Sequence, residues 1–267
     1  MKKRVLVMLM IAVMGTMTAC GSEKTASVDD VKFDDLDLKY SPDGATYNEN
    51  LYYSECFEGD EPHVKDWSSL VEIGSSETYP VPEEIKNKDH MDGFQERASY
   101  HSFRREKETF GDYVYDDVTW EVYYDAESSE GYKMCSEWDK PLKSVWSGSI
   151  RLDYSIFDLP WTLSSETKDE FVFELQEEPD LKEFLDEEIY DFDDDITFQI
   201  EDWSASYVYD RHGKGLTSAE IHASGTILYE SGTTSDFSCD YTLQASDMGS
   251  TEVVIPDEIL ELPLIEE

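Results

Sequence analysis

Hydrophobic and polar residues alternate along most of this chain with a period of two, the spacing of strands with one packed face and one wet face. The clearest runs are Leu36, Leu38 and Tyr40; Val118, Trp120, Val122 and Tyr124; and Ile150, Leu152, Tyr154 and Ile156. Others are Phe171, Phe173 and Leu175; Ile196, Phe198 and Ile200, followed by Trp203, Ala205, Tyr207 and Tyr209; and Phe237, Cys239, Tyr241, Leu243 and Ala245. Segments 39–47, 123–134 and 207–221 each place an acidic, Gly-containing turn between extended stretches, which predicts hairpins. The period breaks over residues 179–190, where Leu181, Phe184, Leu185 and Ile189 fall on one face of a helix. Asp180 and Glu183 have the spacing of a capping box, and Glu183, Asp186, Glu187 and Glu188 take the wet side. A second short helix is predicted around residues 83–87. The expected fold class is therefore α+β and β-rich: a curved antiparallel sheet, or a half-barrel, covered by one or two short helices.

The start of the chain follows a different logic. Lys2, Lys3 and Arg4 precede an unbroken apolar run from Val5 to Met14, and small and polar residues lead on to Cys20. That is the layout of a secretory signal. Extended to Ala19, the apolar stretch falls short of the roughly 20 residues that a membrane-spanning helix needs. Met17-Thr18-Ala19-Cys20, followed by Gly21-Ser22, resembles the lipobox of bacterial lipoprotein signal peptides, with Met17 where that family usually has Leu. The resemblance implies a diacylglycerol on the Cys20 thiol and cleavage before it, which makes Cys20 the lipidation site and the membrane the first partner. Two acyl chains would contribute on the order of 20 kcal/mol of anchoring. The expected organisation is a signal peptide at 1–19, the lipidated cysteine and a polar tether at 20–29, an N-terminal β-rich region at 30–90, and a main β-rich domain at 91–267. The expected location is the extracytoplasmic face of the cell membrane.

Charge narrows the partners. The chain carries 62 acidic against 21 basic residues, a net charge of −41, and loss of residues 1–19 removes three more positive charges. Nucleic-acid binding needs a basic face that displaces counterions, and the one basic cluster, Arg97, Arg104, Arg105 and Lys107, is interrupted by Glu106. Nucleic acid is excluded as an expected partner. An aromatic content of 13% separates the chain from acidic disordered sequences and predicts a packed core. Cys56, Cys135 and Cys239 are widely spaced with no CxxC, so neither a zinc knuckle nor a redox motif is expected. They read as small core hydrophobes, with one disulfide as the alternative.

Catalytic signatures are missing: there is no HExxH, no GxSxG and no Walker loop. His63, His90, His101, His212 and His222 are scattered, although His212 and His222 flank a predicted hairpin. Asp191, Asp193, Asp195 and Asp202 faintly resemble a calcium loop, but Ile196 stands where the loop needs Gly. Tyr52, Tyr53, Trp67, Trp146 and Trp161 are candidates for a sugar-stacking platform, or for core. No catalytic, cofactor or metal residue is assigned.

The last third carries a further resemblance. Residues 207–221 (YVYDRHGKGLTSAEI), then Asp240-Tyr241-Thr242-Leu243, then 253–259 (VVIPDEI) look like the C-terminal part of the LolA-like and mycobacterial-type lipoprotein-carrier superfamily. It implies a curved antiparallel sheet covered by helices, sometimes enclosing an apolar cavity for lipid. The leading expectation is a non-enzymatic, membrane-anchored lipoprotein that binds a lipid or other hydrophobic ligand. The alternatives are a cell-surface module binding protein or glycan, and a hydrolase whose site sequence does not reveal.

Overall fold

The structure, a computed structural model, describes residues 44–82, 94–145, 161–178, 181–182, 185, 196–212 and 215–261. Its centre is one open antiparallel sheet of eleven strands, with a separate two-stranded ribbon. In chain order the strands are β1 (Ala45–Phe57), β2 (His63–Ile73), β3 (Glu77–Pro80), β4 (Phe94–Arg97), β5 (Tyr100–Phe110), β6 (Tyr113–Asp125) and β7 (Glu130–Cys135). They continue with β8 (Leu142–Val145), β9 (Trp161–Glu166), β10 (Glu170–Leu175), β11 (Ile196–Asp210), β12 (Gly215–Tyr229) and β13 (Thr234–Ser246). The order across the sheet is β8-β7-β6-β5-β2-β1-β13-β12-β11-β10-β9, and β3 pairs with β4.

That order is two up-and-down meanders joined by one seam. Thr46 pairs with Ser246 and Phe57 with Ser235 along β1 and β13. The strands of 45–73 are thus the centre of the same sheet that residues 100–246 complete.

Alternation decides which side chains are buried. On β13, Phe237, Cys239, Tyr241 and Leu243 are buried, as their period predicts, and on β10 so are Phe171, Phe173 and Leu175. With Leu51, Tyr53 and Tyr47 of β1 and Ala219, Ile221, Ala223 and Ile227 of β12 they form one continuous core on one face of the sheet. Leu181 and Lys182 are helical and so is Leu185. Leu181 and Leu185 are buried in that core, as a covering amphipathic helix requires.

Helix is otherwise scarce in the described residues. The remaining piece is α1 (Asp257–Leu260), four residues with no buried side chain. The architecture is therefore β-rich, and the described residues show much less helix than the α+β expectation. The predicted helix at 83–87 and the runs at 36–40 and 150–156 lie outside the described residues. The 123–134 hairpin forms between β6 and β7, and the 207–221 hairpin between β11 and β12. No described helix is long and apolar enough to cross a membrane.

Two carboxylates sit on the buried face of β1. Glu49 accepts a hydrogen bond from the Tyr241 hydroxyl at 2.6 Å. Glu55 accepts from Ser235 Oγ at 2.6 Å and from the hydroxyls of Tyr53 and Tyr229. Buried carboxylates are tolerable when neighbouring donors replace water, and here tyrosines supply those donors. Burial, together with the bond to Glu55, pushes the Tyr229 hydroxyl up to about 12.

Candidate functional site

A cleft opens where β10 stops short of its neighbour. β10 pairs with β11 only from Asp210 back to Ser206, while β11 runs on to Ile196. Past Leu175 the two faces of β11 meet an opening of about 300 Å³, at the small end of the usual ligand-pocket range. Leu175, Trp203 and Ala205 line it from the core side, and of these Trp203 is the one partly exposed. Ser204 and Ser206 lie between those positions on the opposite face, and Glu174, Ser206 and Glu220 stand side by side across three strands. The site is amphipathic: rings and methyls on one side, hydroxyls and carboxylates on the other.

The next row across the same outer face is Ser204, His222 and Asp240, paired in register on β11, β12 and β13. His222 Nδ1 lies 2.7 Å from Asp240 Oδ1. No hydrogen bond joins the Ser204 hydroxyl to His222, and His222 and Asp240 are well exposed. Nucleophilic catalysis needs a nucleophile–base contact and an oxyanion site, so this row is a cross-strand hydrogen-bonded pair beside a serine.

The other described histidines behave alike. His63 Nε2 is 2.6 Å from Glu108, and His212 Nε2 is 3.2 Å from Asp169. His101 lies between Glu72 (2.8 Å) and Glu121 (3.1 Å) and stacks on Tyr123 at 4.4 Å. His212 and His222 do not converge: one sits in the β11–β12 turn and the other within β12. His90 lies outside the described residues.

A second concentration of polar chemistry lies at the other side of the sheet, on the core face. There Lys65 and Trp67 of β2, Arg104, Glu106 and Glu108 of β5 and Asp116 of β6 line a niche of about 100 Å³. Register puts them in rows, Trp67–Glu106–Val118 and Lys65–Glu108–Asp116. The Arg104 guanidinium lies 4.5 Å over the Trp67 ring, and its Nε is 2.7 Å from Glu106 Oε1. That approach is too oblique to count as a hydrogen bond, because Arg104 Nε is buried without one. Desolvation lowers the Lys65 ammonium below its ordinary value, opposed by the charge of Glu108. Beyond this niche the β5–β6 hairpin ends in exposed apolar side chains: Phe110 (51%), Tyr113 (67%), Val114 (48%) and Tyr115 (74%).

The sequence-derived candidates scatter over this frame. Tyr53 and Trp67 are core, Tyr52 points out on β1, Trp161 is half-buried on β9 and Trp146 lies outside the described residues, so no shared stacking platform forms. Asp202 is exposed on β11, Asp191, Asp193 and Asp195 fall outside the described residues, and no metal-binding cluster occurs among those that are described. Cys56, Cys135 and Cys239 are free thiols, with Cys135 and Cys239 buried. Burial pushes the Cys239 thiol up to about 12, as expected of a core hydrophobe. The basic cluster divides between surroundings. Arg97 is buried, bonding to the Tyr124 hydroxyl and Pro80 O, whereas Arg105 forms an exposed fork on Asp117. Cys20 precedes the described residues. Sequence pattern missed the Phe110–Tyr115 tip; its signal was a short apolar cluster around Gly111 with no strand period to bury it.

No family model matches this chain, and neither does any curated protein. Two solved structures resemble it. One is the S-type phycobiliprotein lyase of Guillardia theta, 10% identical with a TM-score of 0.20, covering 84% of this chain and 95% of that one. The other is a LolA superfamily protein from Nitrosomonas europaea, 11% identical with a TM-score of 0.19, covering 86% of this chain and 97% of that one. At these scores neither likeness carries an argument about this chain or assigns a role to any of its residues.

Proposed function

We propose that this chain is an extracytoplasmic lipoprotein, held to the membrane by lipid on Cys20, that binds a lipid or other hydrophobic ligand without transforming it. The observation that carries the binding reading is the cleft at the end of β10, where Leu175, Trp203 and Ala205 face a ligand-sized opening. An apolar chain lying against Trp203 loses contact with water, and its hydroxyl-bearing end meets Ser206, Glu174 and Glu220. The carboxylates favour a neutral or cationic head over an anionic one.

A medium-chain monoacylglycerol is a suitable probe, observed as a one-to-one adduct by native mass spectrometry of the full chain released from detergent. Ser204 is exposed, so Ser204→Trp fills the cleft from outside the core and is expected to remove the adduct with no change in melting temperature. An adduct that survives Ser204→Trp places the ligand elsewhere and ends this reading. The anchor has its own test. Labelled palmitate is expected on the wild-type chain and absent from Cys20→Ala, and equal labelling of both refutes lipidation at Cys20.

The exposed rings at the β5–β6 tip favour a second reading, in which the same anchored sheet engages a cell-surface partner. Monomeric proteins rarely leave several large apolar side chains contiguous and exposed without an interaction to make.

A further inference from the structure

We infer that the niche on β2, β5 and β6, with the rings beyond it, is a binding site for a neutral carbohydrate chain. The inference rests on the second reading above and names the partner's chemistry.

Three observations converge. First, a wall residue of the niche carries an unanswered donor. Trp67 is only 5% exposed and lines the niche, yet its indole N–H has no hydrogen-bond partner. A buried N–H without an acceptor is costly, and a ligand oxygen removes that cost. Arg104 Nε differs: it is already 2.7 Å from Glu106 Oε1, so the indole is the unanswered donor of the niche.

Second, the charges nearly cancel. Lys65, Arg104 and Lys107 line it with Asp66, Glu106, Glu108 and Asp116, three positive against four negative, in a protein whose overall charge is −41. An anion would meet four carboxylates. A cation would meet Lys65 and Arg104 and leave the indole N–H unanswered. A neutral ligand whose groups both donate and accept meets all of them, and sugar hydroxyls do both. Hydroxyl oxygens accept from Trp67 Nε1 and Arg104, while hydroxyl protons go to Glu106 and Asp116.

Third, the surface continues as aromatic rings on the same face. Phe110 follows Glu108 by two residues on β5, and Tyr113 is its cross-strand partner, so both share the face of the niche. A niche of about 100 Å³ is too small to enclose a sugar ring but admits its hydroxyl-bearing edge, leaving the rest of the unit at the mouth. The next unit would lay its C–H face on Phe110 and Tyr113, as saccharide rings do on exposed aromatics.

The test uses the full chain in detergent micelles and a panel of neutral tetrasaccharides built from glucose, mannose or N-acetylglucosamine. Saturation-transfer NMR is expected to show transfer to at least one of them, with an affinity that does not change with salt. Trp67→Phe keeps the ring and removes the N–H, and is expected to weaken binding about fivefold. Tyr113→Ala and Asp116→Asn are exposed changes that should weaken binding with unaltered melting, so the test stands even if Trp67→Phe fails to fold. Ser204→Trp should leave sugar binding untouched. Binding indifferent to all three niche variants overturns the inference. So does a panel with no transfer when an oligolysine peptide binds at Tyr113 in a salt-dependent way, an outcome that keeps the surface-module reading and makes its partner a cationic protein. If neither probe binds, both fall.

Discussion

Replacing Gly225 by alanine should abolish the native sheet, or cost it at least about 4 kcal/mol. β11 changes phase between Ile200 and Asp202. Ile200 pairs with Gly225 and Asp202 with Ser224, so Glu201 is an extra residue, a β-bulge. The bulge presses the backbone of β11 onto β12 at Gly225. A Cβ there would lie 2.1 Å from Gln199 O and 3.0 Å from both Glu201 N and Ile200 Cα. These are backbone atoms, and no rotamer change relieves them. Relief means losing the bulge, which would turn Trp203, Ala205 and Tyr207 from the core face to the wet face. Gly232→Ala is the matched control. Its Cβ meets nothing within 4 Å, and only its φ of +80° opposes the substitution, so a cost of roughly 1 kcal/mol is expected. Thermal melts of the two variants decide the matter, and near-equal melting temperatures would show that the bulge at Gly225 is not as tight as described.

Alkali should unfold the protein cooperatively between about pH 10 and 12, a window set by its buried tyrosines. Burial pushes the Tyr47 hydroxyl from 10.0 up to about 12. Tyr207, fully buried against Phe173 and Trp161, is raised further by burial and by its neighbours Tyr209 and Tyr47. The fold disfavours the ionised form, so the stabilisation is whole below the unfolded value and disappears as pH rises through the folded one. Two units at Tyr47 correspond to on the order of 3 kcal/mol, against a total of about 5–15 kcal/mol for a typical domain. Tyr207 acts in the same direction. Tyrosinate absorbance and far-UV circular dichroism should therefore change together in one step, with the midpoint moved upward in Tyr47→Phe. A sheet that persists above pH 12 while its tyrosines ionise would contradict this account.

Much of this fold is legible in the chain wherever the buried face is apolar. The β13 run from Phe237 to Leu243 and the β10 run from Phe171 to Leu175 are read directly. So is the shift from Ile196, Phe198, Ile200 to Trp203, Ala205, Tyr207, although what it signals, a bulge opposite a glycine, needs the partner strand. β1 carries no such apolar run because its buried face holds Glu49 and Glu55, whose distant donors, Tyr241 and Tyr229, lie 192 and 174 positions away. β5 escaped for the opposite reason. Its core-face positions past Ser102 are Arg104, Glu106 and Glu108, because the core ends at Trp67 and the sheet continues as a charged surface. β12 is quieter still, with Ala219, Ala223 and Gly225 among its inward positions. The candidate sites were not legible at all. The cleft depends on how far β10 pairs along β11, and the niche on cross-strand rows that no local pattern encodes.

The seam between β1 and β13 has a consequence for how such a chain is made. Each meander can assemble from neighbours as they appear, but the free edge of β1 that joins the two waits from its synthesis until residues near 240 arrive. Contacts of such long sequence separation slow folding. β2 covers one edge of β1 almost as soon as both are made, but the other edge stays open, a central strand behaving as an edge strand, until the last strand of the sheet is finished.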